Sequence, residues 1–397
     1  MIYLDNNATS RIDLRIASRM HEIICQRLGN PSSQHSFGRT ARAIVEDARE
    51  RLLRSVGAMT QGMRSDQLLF TSGGTESNNL AIFGLSEGKP GALLVSAIEH
   101  PSVLAAAERA ATAGRQVIKI PVNRDGVIDI DSLRQRVANH SREPIALVSI
   151  MSANNETGVL QPIEIASKIC REQGICVHTD AVQVLGKREL SFASLGVDAM
   201  TITAHKLHGP VGVGALVLRH GVSVAPQAFG GFQQLGLRPG TETAALCDGF
   251  AMAAELASNI EMRVSAMLPL RDKLEQGIRK VIPDAVVNGC NAQRLPHTTS
   301  VSFPGVDRQA LQLALDMRGI ACSTGSACAS GSSQPSHVLA AMGLDESQIK
   351  GGIRFSLSYE TRAEEIDQVI EVLRSIIPAL LKRPSVLAKS SREQEEN

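Results

Sequence analysis

Between residues 65 and 220 the chain alternates short apolar runs with amphipathic stretches, and this alternation constrains its fold more than any other feature. The runs fall at 67–71, 92–98, 116–122, 145–151, 176–181, 199–204 and 214–218. Most are continuous rather than alternating, the pattern of strands covered on both faces. Amphipathic stretches at 101–113 and 162–173 read as helices between them. Strands interleaved with helices predict an α/β fold with a mostly parallel seven-stranded sheet in three layers. After residue 243 the pattern changes. A long helical stretch over 244–281 leads into a smaller α/β unit, with apolar runs at 299–303 and 353–357 and helices over 307–318 and 362–376. The expected division is a large domain over 15–255 and a small one from 1–14 with 256–381. The polar stretch 382–397 is expected to be a disordered tail.

Bulk properties remove several function classes. A chain of 397 residues can bury a full core. Its net charge of +1 gives no footprint for nucleic acid or an anionic membrane, and with no Trp and only two Tyr it lacks stacking platforms. No apolar run is long enough to span a bilayer, and the first residues show no basic stretch ahead of an apolar core. Seven scattered cysteines without a C-x-x-C pair argue against a disulfide framework or a structural zinc site. A cytoplasmic location and no metal site are therefore expected. Cys25, Cys170, Cys176 and Cys247 are expected to be small buried hydrophobes, and Cys322 part of a core.

Ligands of open parallel sheets bind beyond the carboxyl ends of the strands. Polar residues gather at those ends: Thr71 to Thr75, Glu99 and His100, Asn154 and Asn155, Asp180, and Thr203 to Lys206. The turn at Gly73, Gly74 and Thr75 suits a phosphate, and no lysine follows it as in a P-loop. It also reads as a plain helix start with Thr75 as cap. Lys206 ends an apolar run; burial lowers a lysine's pKa and frees the amine to form a Schiff base with an aldehyde cofactor. A surface lysine is the ordinary alternative. Asp180 could hold a protonated pyridine nitrogen or cap the next element. His178 shares its strand parity and could support it, though a core histidine is the simpler reading. His100, before Pro101, could stack on a planar ring and shuttle protons. Arg354, among apolar neighbours, needs a partner: a substrate carboxylate or a structural salt bridge. Cys328 sits in a run of Ser, Gly and Ala where its thiol would be accessible and, as thiolate, nucleophilic.

Taken in order, these pieces resemble one family nearly end to end: the cysteine desulfurases of the NifS/IscS type, class V aminotransferases of fold type I that use pyridoxal 5'-phosphate. The resemblance rests on Tyr3 to Thr9, Gly29 to His35, Thr71 to Leu80, Asn154 to Gly158, His205-Lys206, Arg238 to Thr241, Gly325 to Cys328 and Ile353 to Ser356. It implies that Lys206 carries the cofactor as a Schiff base, Asp180 pairs with its ring nitrogen, Gln183 bonds its ring hydroxyl and His100 stacks on it. Gly74, Thr75, Thr203 and His205 would hold the phosphate, with Thr241 arriving from the second subunit of a homodimer. Asn155, also against the cofactor, and Arg354 would bind the carboxylate of L-cysteine. Cys328 would take the sulfur as a persulfide and pass it to an acceptor or iron–sulfur scaffold protein, or toward tRNA thiolation. A selenocysteine lyase or another class V aminotransferase would keep Lys206 and Asp180 without an essential Cys328. Two departures stand out: Gln233-Gln234 where many members have Glu, and a polar tail in place of an apolar, aromatic one.

Overall fold

The computed structural model describes residues 1–325 and 334–381; the tail 382–397 lies outside them. The strands, in chain order, are β1 (Ile2–Tyr3), β2 (Gln67–Thr71), β3 (Ala92–Ser96), β4 (Val117–Ile120), β5 (Ile145–Ser149), β6 (Val177–Asp180), β7 (Ala199–Thr203), β8 (Gly214–Leu218), β9 (Val286–Val287), β10 (Thr298–Ser302), β11 (Ile320–Ala321) and β12 (Gly352–Ser356). Seven form one sheet in the order β2-β8-β7-β6-β5-β3-β4. Within it only β8 runs against the rest, pairing antiparallel with both β2 and β7. Its direction follows from its connection. The link from Thr203 to Gly214 is too short for a parallel crossover, so the chain turns back beside β7. Every residue of β3, β5, β6, β7 and β8 is buried, which explains their unbroken apolar reading.

Helices cover both faces. The Ser36–Ser55 helix buries Ala41, Val45, Ala48 and Leu52, one stripe of its surface, against a core that also holds Phe250, Ala253 and Ala254 of the Ala244–Leu256 helix. Leu52 is fully buried, a side chain worth about 1.5–3 kcal/mol of transfer free energy. The stretch expected as one helix over 244–281 is two, Ala244–Leu256 and Ile260–Val281. Asn259 divides them, because its side chain accepts from Met262 N and restarts the helix.

The second unit is built on the antiparallel sheet β12-β10-β9 and the parallel pair β1-β11. Its core joins Ile2 and Leu4 to Val301, Phe355, Ile366 and Leu373. The start of the chain therefore packs with its end, and an isolated bridge sets Asp5 beside Ser356. That docking carries residues 5–9 across to the carboxyl ends of the large sheet. Among the described residues no helix is long and apolar enough to cross a membrane.

Candidate active site

A cavity of 330 Å³ opens beyond the carboxyl ends of β2, β3, β5, β6 and β7. Gly74, Thr75, His100, Asn155, Asp180, Gln183, Thr203, His205, Lys206 and Arg354 all line it. Most lie at or just past the end of a strand of the large sheet, and Arg354 comes from β12 of the second unit. Lys206 closes the 3₁₀ turn Ala204–Lys206 directly after β7. Its Nζ donates to the backbone carbonyls of Asn7 and Ala8, both at 2.5 Å, so the N-terminal segment holds the amine in the cavity.

Asp180 ends β6 and is 6% exposed. Its Oδ2 accepts from Asn78 Nδ2 at 2.7 Å and its Oδ1 from Val182 N at 2.9 Å, which fixes the carboxylate plane. Asn78 Nδ2 also donates to Ser102 Oγ at 2.9 Å, while Asn78 Oδ1 is buried without a partner. Ser102 Oγ lies 2.8 Å from His100 Nδ1, and Ser102 N donates to the same nitrogen at 3.1 Å. A backbone donor at Nδ1 leaves the proton of the neutral ring on Nε2. Burial holds His100 below the ordinary imidazole range, against the opposing pull of Asp180. His100 is also the N-cap of the Pro101–Thr112 helix, so the residue that faces the cavity starts the helix behind it.

Gln183 Nε2 donates to the carbonyl of Asn7 at 3.1 Å. His205 Nδ1 lies 3.2 Å from Thr9 Oγ1, and burial, with Lys206 and Lys187 nearby, lowers its pKa to about 4. The Thr203 hydroxyl donates to the Val213 carbonyl at 3.1 Å, leaving its lone pairs to the site. Arg354 is 2% exposed on β12. Its Nη2 pairs with Asp5 Oδ1 at 2.6 Å and its Nη1 donates to the Asn155 carbonyl at 3.1 Å, but its Nε has no partner. The guanidinium thus has its salt bridge and still presents free donors beside the cavity.

Several expectations change. His178 does not touch Asp180. It bridges Ser149 Oγ at 2.9 Å and Thr201 Oγ1 at 3.0 Å in the sheet interior, where burial lowers its pKa to about 3. Thr75 is not the helix cap; Gly73 is, and Thr75 lies inside the Gly74–Asn79 helix, exposed to the cavity. Cys25 is exposed at the end of its helix, with Sγ 3.5 Å from His21 Nε2. Cys170, Cys247 and Cys322 are buried and Cys176 half-buried, and burial raises all four to about 12. Thr241, expected to serve the second subunit's site, is exposed and lines a separate 150 Å³ recess with Ser72 and Arg238. Cys328 lies outside the described residues, although Gly325, just before it, lines the cavity. Among the described residues no cluster of His, Cys, Asp or Glu could hold a metal.

The aminotransferase class-V family model matches residues 2–369. The chain belongs to the class-V aminotransferase family. Within it, the chain is 41% identical over 383 residues to a cysteine desulfurase of Trichormus azollae, covering 96% of this chain and 94% of that one. It is 41% identical to the cysteine desulfurase NifS of Azotobacter vinelandii, covering 96% and 93%. The NifS-like protein of Rickettsia africae superposes with a TM-score of 0.86 at 33% identity, covering 95% and 99%. Cysteine desulfurases of this class-V family depend on pyridoxal phosphate. The cavity fits such a group. It offers an amine for an aldehyde, a fixed carboxylate for a ring nitrogen, an imidazole beside them, and hydroxyls with a helix start for a phosphate. Its volume lies at the lower end of ligand pockets, about 300–1,000 Å³.

Reading residues one at a time misses the supports of this class-V site. Asn78 ties Asp180 to Ser102, and Asn7 receives both Lys206 and Gln183. Asn78 had a usable signal, since it sits three positions after Thr75 on one helix. Asn7 had none, because its contribution to Lys206 and Gln183 is a backbone carbonyl.

Proposed function

We propose that the chain is a pyridoxal-phosphate-dependent cysteine desulfurase that removes sulfur from L-cysteine, releases L-alanine and holds the sulfur on Cys328. The observation that carries this reading is the meeting of Lys206, Asp180, His100 and Arg354 around one cavity, in a chain 41% identical to cysteine desulfurases along nearly its whole length. When bound, pyridoxal phosphate supplies an electron sink beside the substrate α-carbon. Lys206 would bond the aldehyde of the group, and its amine is the base placed to take the substrate α-proton. Asp180, held by Asn78 and Val182, stabilises positive charge at the ring nitrogen. His100 presents its Nε2 proton toward the cavity. Arg354 and Asn155 orient the substrate carboxylate. Gln183 would bond the ring hydroxyl, and Gly74, Thr75, Thr203 and His205 would hold the phosphate.

The sulfur step balances as L-cysteine plus the Cys328 thiol giving L-alanine plus a Cys328 persulfide. A sulfur–sulfur bond forms, the substrate carbon–sulfur bond breaks, and a proton reaches the substrate β-carbon. The persulfide then passes to an acceptor protein, with iron–sulfur cluster assembly or tRNA thiolation as the destination. A homodimer is supported by Phe229, Phe232 and Leu235, exposed at 88%, 89% and 71% in the segment just before Thr241. In it, Thr241 would complete the partner's phosphate site. The unpaired cysteines among the described residues support a reducing, cytoplasmic location.

The test is direct. Purified enzyme should show a cofactor absorbance band abolished by borohydride, and Lys206→Ala should lack it. Cys328→Ala should lose persulfide formation and transfer. Alanine and sulfide released by Cys328→Ala at the native rate would sink the persulfide role. Amino-group exchange with a keto acid, without sulfur release, would point to an aminotransferase instead.

A further inference from the structure

Lys187 stands behind the active cavity, four residues beyond Gln183, and the chemistry above gives it no work. It is 6% exposed. Its Nζ donates to Gln183 Oε1 at 3.3 Å, a long bond, and among the described residues no carboxylate pairs with it. A buried ammonium without a counter-ion is costly. Burial, with the cations Lys206, Arg263 and Arg354 nearby, holds Lys187 well below the ordinary lysine range.

On its far side from the active cavity lies a second cavity of 280 Å³, walled by Lys187, Arg188, Arg271 and Arg294 with Val264 and Leu268. Two of these cations are already neutralised. Arg294 pairs with Glu275 at 2.7 Å, and Arg271 with Asp272 at 2.7 Å and Glu275 at 3.8 Å. Arg188, like Lys187, has no carboxylate partner among the described residues. The cavity therefore carries two basic groups without a carboxylate partner among the described residues, adjacent in sequence: Arg188 at the exposed rim brings the positive charge, and buried Lys187 brings a donor that an anion beside it would charge.

We propose that this cavity binds a small oxyanion of the sulfate or phosphate class between Lys187 and Arg188, and that occupancy is felt in the active cavity through the bond from Lys187 to Gln183. The coupling is geometric. Gln183 turns Oε1 to Lys187 and Nε2 to the Asn7 carbonyl, which leaves one Nε2 hydrogen for the active cavity. An anion beside Lys187 favours its ammonium form and strengthens its bond to Oε1. The amide is then held with its donor end toward the cofactor position. This second half rests on the pyridoxal-phosphate reading; the anion site itself does not.

The experiment is calorimetric titration of sulfate into cofactor-loaded enzyme, with chloride keeping the ionic strength constant. One site per chain with millimolar affinity is expected. Lys187→Met and Arg188→Ala should each weaken it about tenfold or more, the worth of one charge-assisted bond. Arg188→Ala, altered only at an exposed rim, should keep its sulfate-free desulfurase activity. Equal sulfate binding by Arg188→Ala, Lys187→Met and the parent chain, or no saturable binding by the parent, overturns the site. For the coupling, sulfate should shift the pH at which the bound cofactor's absorbance changes in the parent and not in Arg188→Ala. Absence of that shift overturns the coupling alone. A chain that bound sulfate in a Lys187-dependent way but took up no cofactor would refute the proposed enzyme and leave this site standing.

Discussion

Arg354→Leu should abolish the enzyme's preference for a substrate that carries a carboxylate. An arginine has five N–H donors. In Arg354 one goes to Asp5 Oδ1 at 2.6 Å and one to the Asn155 carbonyl at 3.1 Å, while Nε has no partner. Three donors remain, enough for a carboxylate bound side-on through two bonds. A bond to a charged group is worth about 1.5–3 kcal/mol, so two give roughly 3–6 kcal/mol in isolation. The Asp5 carboxylate already on the guanidinium opposes a second anion, so the lower end applies: about 3 kcal/mol, or roughly a hundredfold in kcat/KM. The assay compares L-cysteine with cysteamine, which has the same amine and thiol but no carboxylate. Arg354→Leu should lose about a hundredfold toward L-cysteine and stay within about threefold toward cysteamine. Asp5 retains a path to water, its side chain being 21% exposed, so its lost partner need not unfold the chain; the cofactor band checks this. An equal fall for both substrates would mean that Arg354 only supports the fold, and the carboxylate argument would be wrong.

Other consequences are equally open to measurement. Asn78→Ala removes the donor that holds Asp180 Oδ2 at 2.7 Å, so the cofactor dissociation constant should rise about tenfold to a hundredfold; an unchanged constant in absorbance titration refutes the support role. Gly325→Ala would set a Cβ 2.5 Å from Glu156 Oε2 at a φ of +88°, so thermal unfolding should reveal a loss of at least about 1 kcal/mol, and an unchanged midpoint contradicts the close approach. Glu99 is fully buried, with Oε1 accepting from Met151 N at 2.7 Å and Oε2 unpartnered, and burial pushes its carboxyl well above the ordinary range. Its contribution is therefore complete below the unfolded carboxyl pKa and fades as pH rises toward the folded one. Glu99→Gln, neutral at every pH, should gain on the parent chain by up to about 1.4 kcal/mol per pH unit above roughly pH 4.5 in denaturant titrations of cofactor-free protein, and a difference flat in pH would show that Glu99 is ionised in the fold.

What the sequence made legible follows from which residues act through their side-chain type. Continuous apolar runs marked the strands because both sheet faces are covered, and the polar residue just past each run marked the cavity because parallel strands all end there. Asp180, His100 and Lys206 were readable on that ground. The direction of β8 needed only the length of the link from Thr203, which the alternation alone does not weigh. His178 and Asp180 share a strand parity, but parity gives a face and not a partner; hydroxyls on the two neighbouring strands reach the imidazole first. Cys25 looked buried because its helix is amphipathic, and its place on the stripe, not its neighbours in sequence, leaves it exposed.

The part that was not legible is the joining of the two sheets, and Asn7 shows why. It is 1% exposed, and all of its polar atoms are used. Its carbonyl accepts from Lys206 Nζ, after β7, and from Gln183 Nε2, after β6. Its Nδ2 donates to the Asn155 carbonyl, beyond β5, and to Thr298 Oγ1 on β10. Its backbone N donates to Ser356 Oγ on β12, and its Oδ1 meets His297 Nε2. One residue near the start of the chain thus bonds three strand ends of the large sheet and two strands of the small one. No periodicity encodes that, because the bonds span more than a hundred residues and several use backbone atoms. The physical consequence is that the bonds from Lys206 to the Asn7 and Ala8 carbonyls form when residues 2–4 have packed into the second core and delivered that segment to the cavity. The active site is therefore a property of the docked pair of sheets, and a change that loosens either core should disturb Lys206 before it unfolds the chain.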